Sequence, residues 1–137
     1  MITSSVLIRK NTAIVWEAIT NNELFKNWYF EIPDFELVLG ATFHFYEPGA
    51  KRQFLHVCTI LEIIPFKRFS HTWTHPDYSK GTTKVTWLLT EKDEFTTVTL
   101  QHSGIENLSD GGPDFAPENY QLGWDKILFN LHKFIEQ

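Results

Sequence analysis

The sequence predicts an α+β fold: a curved antiparallel sheet of seven strands, two short helices after the first strand, and one long C-terminal helix packed on the sheet. Three observations predict it. Between residues 35 and 104, alternating segments are punctuated by Gly, Pro and Asp at the spacing of hairpins. From Pro117 to Ile135 the apolar residues recur with the helical period. The chain has 137 residues, the size of one domain spanning 1–137, and such a domain buries roughly two-thirds of its unfolded surface.

Residues 2 to 9 alternate and read as the first strand. Asn11 and Thr12 are N-cap types for the helical segment AIVWEAIT. Thr20-Asn21-Asn22-Glu23 matches a capping box and opens a second short helix carrying Leu24, Phe25 and Trp28, which must end before Pro33. Six strands follow. FELVLG and TFHFYE flank Gly40, RQFLHVCTILEII stops at Pro65, RFSHTWTH at Pro76, TTKVTWLLTE at Lys92-Asp93, and FTTVTLQHSG at Gly104. Residues 107 to 117 read as a loop. In the last segment Tyr120, Trp124, Ile127, Leu128, Leu131, Phe134 and Ile135 share one face. Pro117 suits the first turn, and the helix runs about 28 Å, enough to cross a sheet.

Alternation also assigns faces. Phe43 and Phe45 point one way. Phe69, His71, Trp73 and His75 share a face, as do Val85, Trp87 and Leu89, and Val98, Leu100 and His102. The threonines between them mark the solvated side. For the strand 53–64 the preferred parity turns His56, Cys58 and Ile60 inward, with Glu62 following, although a one-residue slip or a bulge would exchange the sets. The inner face is thus aromatic and imidazole-rich. Its candidate ligand-binding residues are Trp28, Phe43, Phe45, His56, Cys58, His71, Trp73, Val85, Trp87, Leu100, His102, Tyr120, Trp124 and Leu128.

His102 sits where the pattern asks for a hydrophobe. It either anchors a guest in a hollow interior or, if the interior is filled, belongs to a core network. His102 and His71 are the weak candidates for a catalytic base. Simple hairpin registers put Trp73 opposite Val85, and Val85 opposite His102. His71 and His102 then lie two strands apart, roughly 9 to 10 Å at ~4.8 Å per strand, too wide for one zinc ion. No metal and no cofactor are expected. Gly123, inside the helix, either leaves room for a ligand or allows close helix contact.

The formal charge is −5 and the sole cysteine is Cys58. The basic pairs Lys51-Arg52 and Lys67-Arg68 form no stripe, which argues against nucleic acid. One thiol forms no internal disulfide, and Cys58 reads as an inert buried thiol. MITSSVLIRK has no secretory pattern, and no apolar run spans a membrane. A cytoplasmic protein is expected.

VWEAITNNELFKNWYF resembles the N-terminal helix pair of the SRPBCC proteins, also called START or Bet v 1-like, and most of all the bacterial Hsp90-activator-homologue branch. LEIIPFKRFSHTW, TTKVTWLLTE, TTVTLQHSGI and GWDKILFNLHKFI are similar to that branch's later motifs, in order along nearly the whole chain. The resemblance implies a helix-grip fold whose seven strands wrap the C-terminal helix around a cavity. It also implies a small hydrophobic ligand, such as a lipid, sterol or polyketide; some members are cyclases or hydrolases. A small hydrophobic molecule is therefore the expected partner, binding more than catalysis the expected activity. A cyclase or hydrolase using a cavity histidine is the alternative, with a chaperone-linked interaction module behind it. A chain of this length is not expected to hold the co-chaperone's additional Hsp90-engaging domain, so a chaperone partner does not follow from the family name. A homodimer stays open.

Overall fold

The computed structural model describes residues 1–47 and 54–137. The order is β1 (Ile2–Ile8), α1 (Thr12–Thr20), α2 (Asn22–Phe25), β2 (Thr42–Tyr46), β3 (Leu55–Ile64), β4 (Arg68–Trp73), β5 (Thr83–Lys92), β6 (Phe95–Ser103) and α3 (Pro117–Glu136). Two 3-10 segments, Ile105–Gly111 and Pro113–Phe115, replace the expected loop before α3. The strands form an antiparallel sheet in the order β1-β6-β5-β4-β3-β2. This is a helix-grip arrangement.

The sheet has six strands among the described residues, not seven. FELVLG is the missing one. Its backbone bonds close mostly locally, Val38 N–H to Glu36 and Ala41 N–H to Val38, and it reaches across only at its end, where Gly40 N–H bonds the Ile60 carbonyl and Ile60 N–H the Ala41 carbonyl. Phe35 is buried and Leu37 packs partly against the core, while Val38 and Leu39 are exposed, so two side chains anchor the segment without a strand's pairing. The start of the 53–64 run at Arg52-Gln53, and the Lys51-Arg52 pair, lie outside the described residues.

The helix starts differ in one respect from the pattern. Asn11 caps α1 by accepting from Ile14 N–H at 3.0 Å. The capping box does not form. Asn21, not Thr20, caps α2 by accepting from Glu23 N–H at 2.9 Å, while the Thr20 hydroxyl turns back to the Trp16 carbonyl at 2.6 Å. A buried threonine inside the last turn of α1 finds its nearest acceptor one turn earlier. Trp28 lies beyond α2, and its indole N–H donates to the Ala18 carbonyl at 3.1 Å.

Registers decide which rings meet. The β5–β6 turn has Asp93 and Glu94 at φ 54° and 67°, the twist of a two-residue hairpin, and sets Val85 opposite His102. Between β4 and β5 the pairing is Trp73 with Thr83 and His71 with Val85. The expected Trp73–Val85 pairing is thus off by two residues, because the connection after Trp73 is centred one residue earlier. In β3, His56, Cys58 and Ile60 are buried. A bulge between Ile60 and Glu62 then moves Glu62 to the other face, where it meets Arg68 at 3.6 Å; the inward carboxylate expected there is absent. α3 is fastened across β1 by Ser4 to Asp125 at 2.5 Å and by Gln121 to the Thr3 carbonyl at 3.1 Å. Among the described residues no helix is long and apolar enough to cross a membrane.

Candidate functional site

The inner face carries a continuous cluster of rings. Trp28 lies against Trp87 with centroids 5.9 Å apart, Trp87 against Trp124 at 6.0 Å, Trp124 against Trp73 at 5.1 Å, and Trp73 against His102 at 5.6 Å. Phe43, Phe45, Val85, Leu100 and Leu128 are buried with them. Edge-to-face contacts of this kind add packing energy beyond burial, and here the rings meet one another between sheet and helix.

His102 is fully buried in this cluster. The Trp124 indole N–H donates to its Nδ1 at 3.0 Å. An indole nitrogen can only donate, so the imidazole proton lies on Nε2, which donates to Thr83 Oγ1 at 2.7 Å. Thr83 in turn donates to the Trp73 carbonyl at 2.7 Å. Burial, aided by the nearby His71 and His75, pushes the His102 pKa down to about 3. Both ring nitrogens are engaged, and His102 belongs to a core network. His71 is also buried, bonds the Thr72 carbonyl through Nδ1 at 2.8 Å, and is held by burial at a pKa of about 4 against that bond.

At the other end the cluster opens. A pocket of about 160 Å³ is lined by Glu47, Phe54, His56, His75, Asp114, Phe115, Asn119 and Tyr120. His56 and His75 lie with centroids 4.5 Å apart. Phe115 meets Phe54 at 5.5 Å and His75 at 4.8 Å. Pro113 opens the short 3-10 turn that drops Phe115 into the wall, and Pro117 starts α3, whose first turn presents Tyr120.

The hydrogen bonds fix the charge state of this end. The Trp73 indole N–H donates to His75 Nε2 at 3.2 Å, so His75 carries its proton on Nδ1 and gives it to the Leu55 carbonyl at 3.2 Å. The Tyr120 hydroxyl, 3.0 Å from the same Nε2, can only donate there. His56 donates Nδ1–H to the Phe45 carbonyl at 3.2 Å. Burial lowers its pKa to about 3, with His75 adding and the Phe45 and Phe54 backbone opposing. Burial likewise lowers His75 against the Leu55 carbonyl and Glu47, and raises Tyr120 to about 12 against its bond to Trp73. Two neutral imidazoles and a neutral phenol therefore face an aromatic pocket.

Of the residues singled out from sequence, only His56 and Tyr120 line this pocket; the others form the packed cluster behind it. Missed were Phe54, Phe115, Glu47, Asp114 and Asn119, and His75 was placed inward without being chosen. Phe54 starts the same parity set as His56, a signal within reach; Phe115, in an irregular Gly-Pro-Asp segment, carried none. Cys58 is buried and its thiol pushed well up by burial, an inert environment. Gly123 faces open space, with nothing within 4 Å of a Cβ built there, so it makes neither ligand room nor a close helix contact. Among the described residues no group of three or more His, Cys, Asp or Glu could hold a metal. A larger depression of about 600 Å³ lies between Arg9, Asn27, His132 and Lys133, but Arg9 and His132 are already paired with Glu136 at 2.8 Å each.

Residues 11–136 match the family described as Activator of Hsp90 ATPase homolog 1-like protein. The chain belongs to this family. Among solved structures, DynU16, from the dynemicin biosynthetic locus, superposes with a TM-score of 0.80 at 20% identity over 99% of this chain and 47% of its own. The chain thus spans less than half the length of the DynU16 chain. CalU16 from Micromonospora echinospora gives 0.73 at 21% identity, over 97% of this chain and 74% of that one. The Aha1 dimer from Colwellia psychrerythraea gives 0.75 at 19%, over 98% and 95%. At these identities the likeness carries the fold. No curated protein matches the sequence.

Proposed function

We propose that this chain binds a small hydrophobic or aromatic molecule where the ring cluster opens between β3 and the first turn of α3. The observation that carries this reading is the wall of the pocket: Phe54, Phe115, two imidazoles and a phenol around about 160 Å³. A dry apolar cavity of roughly 150 Å³ accepts benzene, so one aromatic ring is the natural size. A sterol or polyketide needs a site of roughly 300 Å³ or more, and would have to part the Trp73 and Trp124 rings. The packed residues Trp28, Phe43, Phe45, Cys58, Trp73, Val85, Trp87, Leu100, Trp124 and Leu128 act in this reading as the rigid floor behind the site. A hydrolase or cyclase using His102 would need one of its ring nitrogens free to take a substrate proton, and its bonds to Thr83 and Trp124 leave none.

The test is a titration of the labelled protein with toluene, followed by amide and aromatic NMR signals. Shifts centred on Phe54, Phe115 and Tyr120 are expected. Asn119→Trp, a change at an exposed rim position, should remove them, while the loss of the exposed Asn119 bonds to the Pro113 and Asp114 carbonyls costs no more than about 1 kcal/mol in unfolding. Shifts that persist in that variant, or that centre elsewhere, would displace the site.

A further inference from the structure

The pocket is one-sided in its polarity. Tyr120 spends its only proton on His75 Nε2, leaving an acceptor oxygen. Neutral His56, which donates Nδ1–H to Phe45, keeps Nε2 as an acceptor. The Asn119 amide gives its protons to the Pro113 and Asp114 carbonyls at 3.2 and 3.4 Å. At the rim stand the carboxylates of Asp114 and of Glu47, the latter already accepting from Phe54 N–H at 2.8 and 2.9 Å, and neither Lys nor Arg is among the described residues lining the pocket. Among the described residues lining the space, side-chain acceptors outnumber free side-chain donors. Its aromatic faces, Phe54 and Phe115, also favour positive charge.

We infer that the guest is a donor-bearing aromatic, an aromatic amine or its ammonium form, and that aromatic carboxylates are rejected. This rests on the pocket being the binding site. It follows from hydrogen-bond arithmetic: an amine supplies two or three donors to oxygens and a ring nitrogen that still have lone pairs to offer, whereas a carboxylate sets acceptor against acceptor and anion against anion.

The experiment compares three probes of one ring, benzylamine, toluene and benzoate, by NMR titration of the whole chain at pH 7. Benzylamine should bind about tenfold tighter than toluene, as one charge-assisted hydrogen bond allows, and benzoate should bind weakest. Asp114→Asn should narrow the gap between benzylamine and toluene. Equal affinity for all three, or a preference for benzoate, would overturn the inference and leave the pocket standing. If none of the three shifts Phe54, Phe115 or Tyr120, the pocket itself falls and the inference falls with it.

Discussion

The two ends of the ring cluster use the same parts with opposite results. At each, a buried indole N–H donates to an imidazole, Trp124 to His102 and Trp73 to His75. The tautomers are reversed. His102 carries its proton on Nε2 and passes it to Thr83, another buried side chain. His75 carries its proton on Nδ1, toward the Leu55 carbonyl, and shares its acceptor nitrogen with Tyr120 at the pocket. One chain of hydrogen bonds ends inside the protein; the other ends on a group beside open space. An imidazole on the inner face is therefore no sign of function in itself. What matters is where its bonding partners run out.

The largest expected effect separates the ends directly. His102→Leu leaves the Trp124 N–H buried without an acceptor and should cost about 3 kcal/mol in urea unfolding. His75→Leu should cost only about 1 kcal/mol, because Tyr120 already bonds the Trp73 side chain and can take over its N–H. Equal losses would erase the distinction between a closed and an open end.

Acid provides the next test. His56 and His102 have pKa values of about 3 and His71 of about 4, all below the ~6.5 of an unfolded histidine. The unfolded state therefore takes up protons first. Stability should be full above pH 6.5 and fall as the pH drops toward 4, by up to about 1.4 kcal/mol per pH unit for each such histidine. Urea midpoints at pH 7, 6 and 5 measure the slope, and His102→Leu should shallow it by one proton. An unchanged slope would mean that His102 is not held neutral by its core network.

Much of this was legible in the chain, and the limits have a physical pattern. Alternation placed His71, Trp73 and His102 on the buried face because side-chain direction in a strand has period two. The same period hides a two-residue slip, which preserves every face and changes only the neighbours; so Val85 pairs with His71 and not with Trp73. FELVLG imitates a strand because Phe35 and Leu37 alternate, yet Gly40 and local turns take its hydrogen bonds. Whether the interior is hollow depends on sheet curvature against ring volume, which no local pattern encodes. The pocket escaped detection for a related reason. Phe115 comes from a 3-10 turn and Phe54 from just before β3, and only the assembled fold brings their rings to 5.5 Å.

The smallest stability change should carry the sharpest functional contrast. Tyr120→Phe keeps the ring against His102, where the centroids are 5.2 Å apart, and leaves the Trp73 bond to His75 intact. His75 Nε2 loses one of two donors and stays satisfied, so unfolding free energy should fall by only about 0.5 kcal/mol. The open end, however, loses its phenol oxygen, the acceptor nearest its floor. Benzylamine should weaken about fivefold, the worth of one hydrogen bond of about 1 kcal/mol, while toluene binds as before. A loss shared equally by both probes would show that Tyr120 shapes the wall without choosing what it holds. A large loss of stability would show that the open end, too, is part of the core.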